Sequence, residues 1–202
     1  MDNNIEIGIL IDKIIKGLKK QYPDLSLDTM WELLGDTKII EVPKKQIFLK
    51  AGNIDNRIIF VAKGLFRAFF DKGDSEITTW FRPEYSVFAS YPSIFINKPS
   101  KLSYQAIEDS VVVVLDYPLL KEKAKSDIEV AKSIIVVLES ILMEVIINLE
   151  EFIMLSPEER FLQTMEHKHS IINRVPQNQL ASILGITPES LSRLKGRLKN
   201  KD

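Results

Sequence analysis

Glu189, Ser192 and Arg193 are spaced three and one apart in the run Glu-Ser-Leu-Ser-Arg, and Gly196 and Arg197 follow. At helical periodicity these five share one side, while Leu191, Leu194 and Leu198 form an apolar stripe on the other. The residue types suit one kind of chemistry. A guanidinium offers two parallel N–H donors that match the major-groove edge of guanine, and a carboxylate accepts from the amino group of cytosine. A single α-helix fits the major groove of duplex DNA, with its N-terminal residues nearest the base edges. Further along, Lys195, Arg197, Lys199 and Lys201 concentrate positive charge where phosphates would lie. The candidate contact set is Gln177, Thr187, Glu189, Ser190, Ser192, Arg193, Lys195, Arg197 and Lys199. Singly, each has a plainer account: Glu189 suits the positive end of a helix dipole, and a basic tail is a solvated face. Jointly they point to base reading, because a carboxylate beside phosphates costs affinity unless it reads something.

Such a helix needs a scaffold, and the residues before it supply one. Leu180, Ala181 and Leu184 line one face of a short helix that Gly185 ends; Thr187 and Pro188 start the next. Small Ala181 at a close crossing, Gly185 in the turn, and Ile186, Leu191 and Leu194 between the helices fit a helix-turn-helix. Upstream, Ser156-Pro157-Glu158-Glu159 combines a serine cap, proline at the first helical position and glutamate three residues after the cap. Phe161, Leu162 and Met165 give that helix its apolar side.

From about 126 to 155 the pattern predicts one long helix. Ala131, Ile135, Leu138, Leu142, Val145, Leu149 and Phe152 alternate steps of four and three, an a/d seam over three heptads. A second stripe, including Ile134, Val137, Ile141 and Ile146, runs beside it. One stripe can pack on the rest of the chain while the other faces a second copy; a single core helix is the alternative. Glu129, Lys132, Glu139 and Glu144 interrupt this stretch at helical intervals, which argues against a membrane span.

Between Lys38 and Leu115 the texture is different. The β-rich runs TKIIEV, QIFLKAG, RIIFVAKGLFRAFF, EITTWF, SVFAS and LSYQAIEDSVVVVLD are separated by Pro43-Lys44-Lys45, Gly52-Asn53, Asp71-Lys72-Gly73-Asp74 and Asn97-Lys98-Pro99-Ser100. Many short strands with regular turns predict an antiparallel barrel or jelly roll. Two helices should precede it. Ile7, Leu10, Ile11, Ile14, Ile15 and Leu18 recur at helical spacing, and SLDTMWELLG has Ser26 to cap it and Gly35 to stop it.

The chain has 202 residues, a net charge of −1 and no cysteine. A basic surface must therefore be local, and thiolate zinc sites, cysteine-ligated clusters, disulfides and cysteine nucleophiles are excluded. The N-terminus carries acids before its apolar residues and has no small-residue cleavage site, so a cytoplasmic protein is expected. A metal enzyme on such a barrel would want histidines in it, and the only two, His167 and His169, lie beside the DNA-reading unit and read as surface residues. No cofactor or metal is expected. A module whose terminal helices grip a protein partner remains the alternative.

In this order of elements the chain resembles the cAMP receptor protein / fumarate–nitrate regulator superfamily of bacterial transcription factors. VPKKQIFLKAGN is similar to the family's opening barrel strand and turn, IIFVAKGLFRAFF to its next hairpin with Gly64, and ESLSR to its recognition-helix signature. The resemblance implies an α+β fold: a cyclic-nucleotide-binding-like jelly-roll domain over 1–124, a dimerisation helix over 125–155 and a helix-turn-helix domain over 156–202. It places base contacts on Glu189, Ser192 and Arg193, associated with TTGA-like half-sites, and implies a homodimer on double-stranded DNA, with no membrane. RNA polymerase and an unidentified small-molecule effector are further candidate partners. The family's cyclic-nucleotide cassette is missing: Ser90 stands where its ribose-binding glutamate would be, and Ser100-Lys101 near its phosphate-binding arginine. The β-hairpin wing seen in longer members of the family is not expected after the last helix. Whether side chains such as Trp80, Phe81 and Phe88 fill the barrel, or leave it open to a ligand, is the question for the structure.

Overall fold

The computed structural model describes residues 3–35, 37–73, 75–167 and 169–199, with side chains for 11–20, 22–33, 37–73, 75–166 and 171–198. Two helices open the chain, α1 (Asn3–Gln21) and α2 (Leu27–Gly35). The Thr29 amide donates to Ser26 Oγ at 3.3 Å, so the serine caps the second helix as its type predicts. Eight strands follow among the described residues: β1 (Lys38–Val42), β2 (Ile47–Leu49), β3 (Arg57–Lys63), β4 (Phe66–Asp71), β5 (Glu76–Arg82), β6 (Val87–Ala89), β7 (Ser103–Ala106) and β8 (Ser110–Asp116). A short helix, α3 (Tyr91–Ile96), separates β6 from β7.

The strands form two antiparallel sheets, ordered β1-β8-β3-β6 and β2-β7-β4-β5. Alternation along β3 shows why they close on one another. Ile59 and Val61 point inward, to a core shared with Val42, Phe66, Phe88, Tyr104 and Val112. Phe60 and Ala62 point outward, against Ile11, Ile14, Ile15 and Leu18 of α1. Both faces of β3 are thus buried, which explains its unbroken apolar run. At the β3–β4 turn Gly64 has φ +96°, and a Cβ there would come within 2.8 Å of Ser110 Cα, so only glycine fits.

After β8 come α4 (Tyr117–Lys123) and the long α5 (Ile128–Met154), capped by Asp127, whose carboxylate accepts from the amides of Glu129 and Val130. The terminal unit comprises α6 (Pro157–His167), α7 (His169–Ile172), α8 (Gln177–Leu184) and α9 (Pro188–Lys199). Its own core is Phe161, Ile172, Leu180, Ala181, Leu184, Leu191 and Leu194. Leu162, expected on the apolar side of α6, is exposed; at helical spacing it lies about 100° from Phe161, off the buried stripe. The α+β architecture expected from the sequence is the one observed.

Aromatic rings occupy the centre of the barrel. Phe88 is fully buried and stacks on Tyr104 with ring centroids 4.5 Å apart, and Phe66 adjoins it at 5.2 Å. Of the three aromatics named as candidates to fill the barrel, Phe88 occupies the centre. Trp80 sits half-buried at the edge of that core beneath the Arg82 guanidinium, and Phe81 lines a cleft outside the barrel. No helix among the described residues is long and apolar enough to cross a membrane.

Candidate nucleic-acid interface

The α8–α9 pair is built as its residue types demand. Gly185 closes α8 in the left-handed conformation at φ +71°, and the amide of Ile186 returns to the Ala181 carbonyl at 3.0 Å. Thr187 then starts α9: its hydroxyl accepts from the Ser190 amide at 3.2 Å, with Pro188 at the first helical position. Leu191 and Leu194 are buried, Leu198 packs at the edge of the same core, and Glu189, Ser192, Arg193, Gly196 and Arg197 are exposed. A Cβ on Gly196 would meet nothing within 4 Å, so this face is open.

The exposed face carries an ordered set of polar groups. Arg193 Nη2 donates to Ser190 Oγ at 3.0 Å, and the Ser190 hydroxyl pairs with that of Thr187 at 3.2 Å. Glu189 is held below the usual carboxylate range, first by its own backbone N–H at the helix start, then by the Thr187 hydroxyl and the Arg193 charge. It is therefore an acceptor at neutral pH. Arg197 reaches back to Glu158 on α6 at 3.0 Å. Lys195 does not align with the arginines: its Nζ lies over the Phe161 ring, 5.9 Å from the centroid. Gln177 is exposed at the first position of α8. The side chains of Lys199, His167 and His169, and all of Lys201, lie outside the described residues.

Three connections that residue patterns alone did not expose hold this unit in place. Ser182 on α8 meets the free edge of β5, its Oγ accepting from the Thr78 amide at 2.9 Å. Arg174, before α8, spans Glu84 and Glu108 in two barrel turns, at 2.7 and 2.5 Å. Arg160 on α6 bonds the ends of α5 and α8. The bonds of Ser182 and Arg174 span 66 or more positions and the Arg160–Leu184 bond spans 24, so none of these leaves a mark in local sequence.

On α5 the two predicted stripes separate in part. Ile134, Val137 and Ile141 are half-buried against the chain's own barrel side. In the seam, Leu142, Leu149 and Phe152 are 58%, 56% and 58% exposed, and Ile135 and Val145 are exposed too, whereas Ala131 and Leu138 are half-buried within the chain. The helix is pinned at mid-length by Glu144, both of whose oxygens accept from Arg82 Nη1 at 2.7 Å. Tyr22 is close to this pair; burial first, then the Glu144 charge, pushes its phenol up to about 12.

The segment between β6 and β7 has no charged fork. Ser90 and Ser93 share a hydrogen bond at 2.7 Å, Ser93 Oγ donates to the Lys98 carbonyl and Ser100 Oγ to the Leu102 carbonyl. All three serines are buried, and Lys101 points to solvent. Among the described residues no group of three or more His, Asp and Glu side chains is arranged to hold a metal. A cleft of about 780 Å³ lies between β5, α5, α6 and α8, with Phe81, Leu149, Phe152 and Ser182 in its walls.

No family model matches the chain, and no curated protein matches its sequence. Solved structures do match in shape. FixK2 from Bradyrhizobium japonicum superposes with a TM-score of 0.68 at 19% identity, over 82% of this chain and 85% of that one. The c-di-GMP responsive global regulator CLP of Xanthomonas campestris gives 0.69 at 12% identity, over 87% and 93%. CooA from Carboxydothermus hydrogenoformans, in a mutant form, gives 0.65 at 15% identity, over 84% and 79%. At these identities the likeness is one of fold: this chain shares with them the arrangement of barrel, long helix and terminal helical unit.

Proposed function

We propose that the protein is a homodimeric, sequence-specific DNA-binding transcription regulator of the cAMP receptor protein / fumarate–nitrate regulator type. The observation that carries this reading is the division of α9: a leucine face sunk in its own core, and an opposite face bearing Glu189, Ser192, Arg193 and Arg197 in solvent. Arg193 reads guanine, Glu189 accepts from a cytosine amino group, and Thr187, Ser190, Ser192 and Gln177 complete the contacts with bases and backbone. Arg197 is the phosphate contact; Lys195 would have to leave the Phe161 ring to join it, and Lys199 adds a further positive charge at the end of the helix. Arg197 must exchange Glu158 for a phosphate, a modest cost because exposed ion pairs contribute only about 0–1 kcal/mol.

Two copies pair through Ile135, Leu142, Val145, Leu149 and Phe152, with Ala131 and Leu138 flanking, and present two α9 helices to successive major grooves about 34 Å apart. Two-fold symmetry then selects a palindrome. The 1–124 unit acts as a scaffold or senses something other than cyclic nucleotide, since serines replace the cassette's charged groups and aromatic rings occupy the centre of the barrel. Its place of work is the cytoplasm, and RNA polymerase is a candidate partner. Selection of bound duplexes from random DNA tests the reading. An inverted repeat is the expected product; recovery of no repeat, with negligible affinity even at low salt, would favour terminal helices that grip a protein instead.

A further inference from the structure

Two helix C-termini converge on one side chain. Arg160 Nη1 donates to the carbonyls of Phe152 and Leu155, at 3.1 and 2.5 Å, where α5 ends. Its Nη2 donates to the Leu184 carbonyl at 2.8 Å, where α8 ends. The last carbonyls of a helix lack intrahelical partners and carry the negative end of its dipole, so two such ends repel unless a cation stands between them. A guanidinium suits this place, because its planar fork can serve two groups at a fixed angle while a lysine ammonium is a point charge. The ring of Phe152 lies under the guanidinium, 4.8 Å from Cζ, and fixes its plane. Gly185 completes the joint: a Cβ there would stand 3.4 Å from the Phe152 ring and 3.8 Å from Arg160 Nη2, so the turn between α8 and α9 rests directly on the end of α5.

We infer that Arg160 is a positioning residue that sets the angle between the paired long helices and the DNA-reading helix, and thereby fixes the half-site spacing the dimer accepts. The inference rests on the DNA-reading assignment for its consequence, though not for its geometry. Arg160 touches no base; it acts through Phe152 and Leu184. Because Phe152 also belongs to the pairing seam, closing the dimer over this ring holds the fork against both helix ends. Orientation of the reading helix then becomes a property of the dimer rather than of the single chain.

Two measurements test it. The chain has no cysteine, so cysteines introduced at exposed Glu139 and Asn178 take spin labels cleanly, one on α5 and one on α8. Diluted with unlabelled protein, the parent should give one narrow intrachain distance, Arg160→Gln a broad one, and Arg160→Lys an intermediate width. Arg160→Lys keeps the charge and covers the case in which Arg160→Gln does not fold. The second measurement uses the palindrome selected by the parent protein, with its half-sites moved apart by one base pair, a shift of about 3.4 Å and about 35°. The parent should discriminate sharply between the two duplexes, and Arg160→Gln at least about fivefold less while keeping its affinity for a single half-site. Unchanged distance widths in both variants would overturn the inference whatever the DNA result. A parent that selects no palindrome would overturn the DNA-reading assignment and leave the distance measurement standing.

Discussion

Arg174 Nη2 lies 2.7 Å from Glu84 Oε1, and the same nitrogen reaches Glu108 Oε1 at 2.5 Å. One side chain from the terminal unit thus ties together two turns of the barrel, those after β5 and β7. Glu84 also accepts from the amide of Gly64 at 3.0 Å, so the clamp is seated on the turn where only glycine fits. Since these groups are about a quarter to a third exposed, each bond is worth less than in a dry interior. Arg174→Ala should cost about 1–2 kcal/mol of stability in denaturant titrations. A double-mutant cycle with Glu84→Gln should show coupling of at least about 0.5 kcal/mol; additivity would mean the clamp holds nothing. The pH dependence has a definite sign. Burial raises the Glu84 carboxyl, but hydrogen bonds from Arg174 outweigh it and leave it below its ordinary value of 4.5. A depressed native value contributes stability above the unfolded value and loses it as pH falls through the native one. The Arg174 contribution should therefore be constant at neutral pH and fade only below about 4.5.

The elements with a repeating signal were legible from residues alone. Strands β3, β4, β5 and β8, both N-terminal helices, α5 and the α8–α9 pair all lie where periodicity and caps placed them. The reciprocal bonds of Ser156 and Glu159, at 2.8 and 3.3 Å, are the box their spacing predicts. The run QIFLKAG shrank to Ile47–Leu49, because Gly52 at φ +86° turns the chain. The short α3 was missed, although Pro92 near its start and Asn97 in the left-handed conformation at its end are local signals. What could not be read was tertiary: which face of α5 the barrel takes, and which arginines bridge elements. Arg82, Arg160 and Arg174 look alike in the sequence, and only packing tells them from the arginines of α9.

Arg82 is the case where packing decides most. Its side chain is 7% exposed, and among the described residues Glu144 is its ionic partner, at 2.7 Å. Glu144→Gln would leave a cation with a neutral amide in a site walled by Trp80, Tyr91 and Tyr104. Removing one partner of a buried pair typically costs about 3–5 kcal/mol, and solvent screening at Glu144, 38% exposed, puts the expected loss at about 3 kcal/mol or less. Thermal or urea unfolding reads this directly. A loss under about 0.5 kcal/mol would show that solvent already screens the pair.

Leu142 separates pairing from folding. It is 58% exposed in the single chain, so a charge there meets water rather than the chain's own core. In a closed seam it would be buried against the partner copy, with a second carboxylate introduced by symmetry. Leu142→Glu should weaken the dimer at least about a hundredfold, roughly 2.7 kcal/mol, in sedimentation equilibrium, and leave the unfolding of the single chain nearly unchanged. An intact dimer would remove Leu142 from the interface. A collapse in stability without a change of mass would return α5 to the role of a core helix.

Arg193 and Arg197 stand one turn apart on the same helix and should fail differently. Arg193 is exposed and oriented by Ser190, which is itself held by Thr187 at the helix start. That chain of hydroxyls preorganises the guanidinium near the N-terminal end of α9, so on the proposed reading its donors would meet a base edge at small entropic cost. Arg193→Ala should cost about 1–3 kcal/mol on the selected palindrome and much less on scrambled duplex, with relaxed preference at one base pair of each half-site. Arg197 faces Glu158 on α6, away from that end, and suits a phosphate. Arg197→Ala should weaken both duplexes alike and lower the slope of log affinity against log salt by about 1 per half-site. Equal losses on both duplexes for Arg193 would make it a phosphate contact too, and base reading would then fall to Glu189 and Ser192 alone.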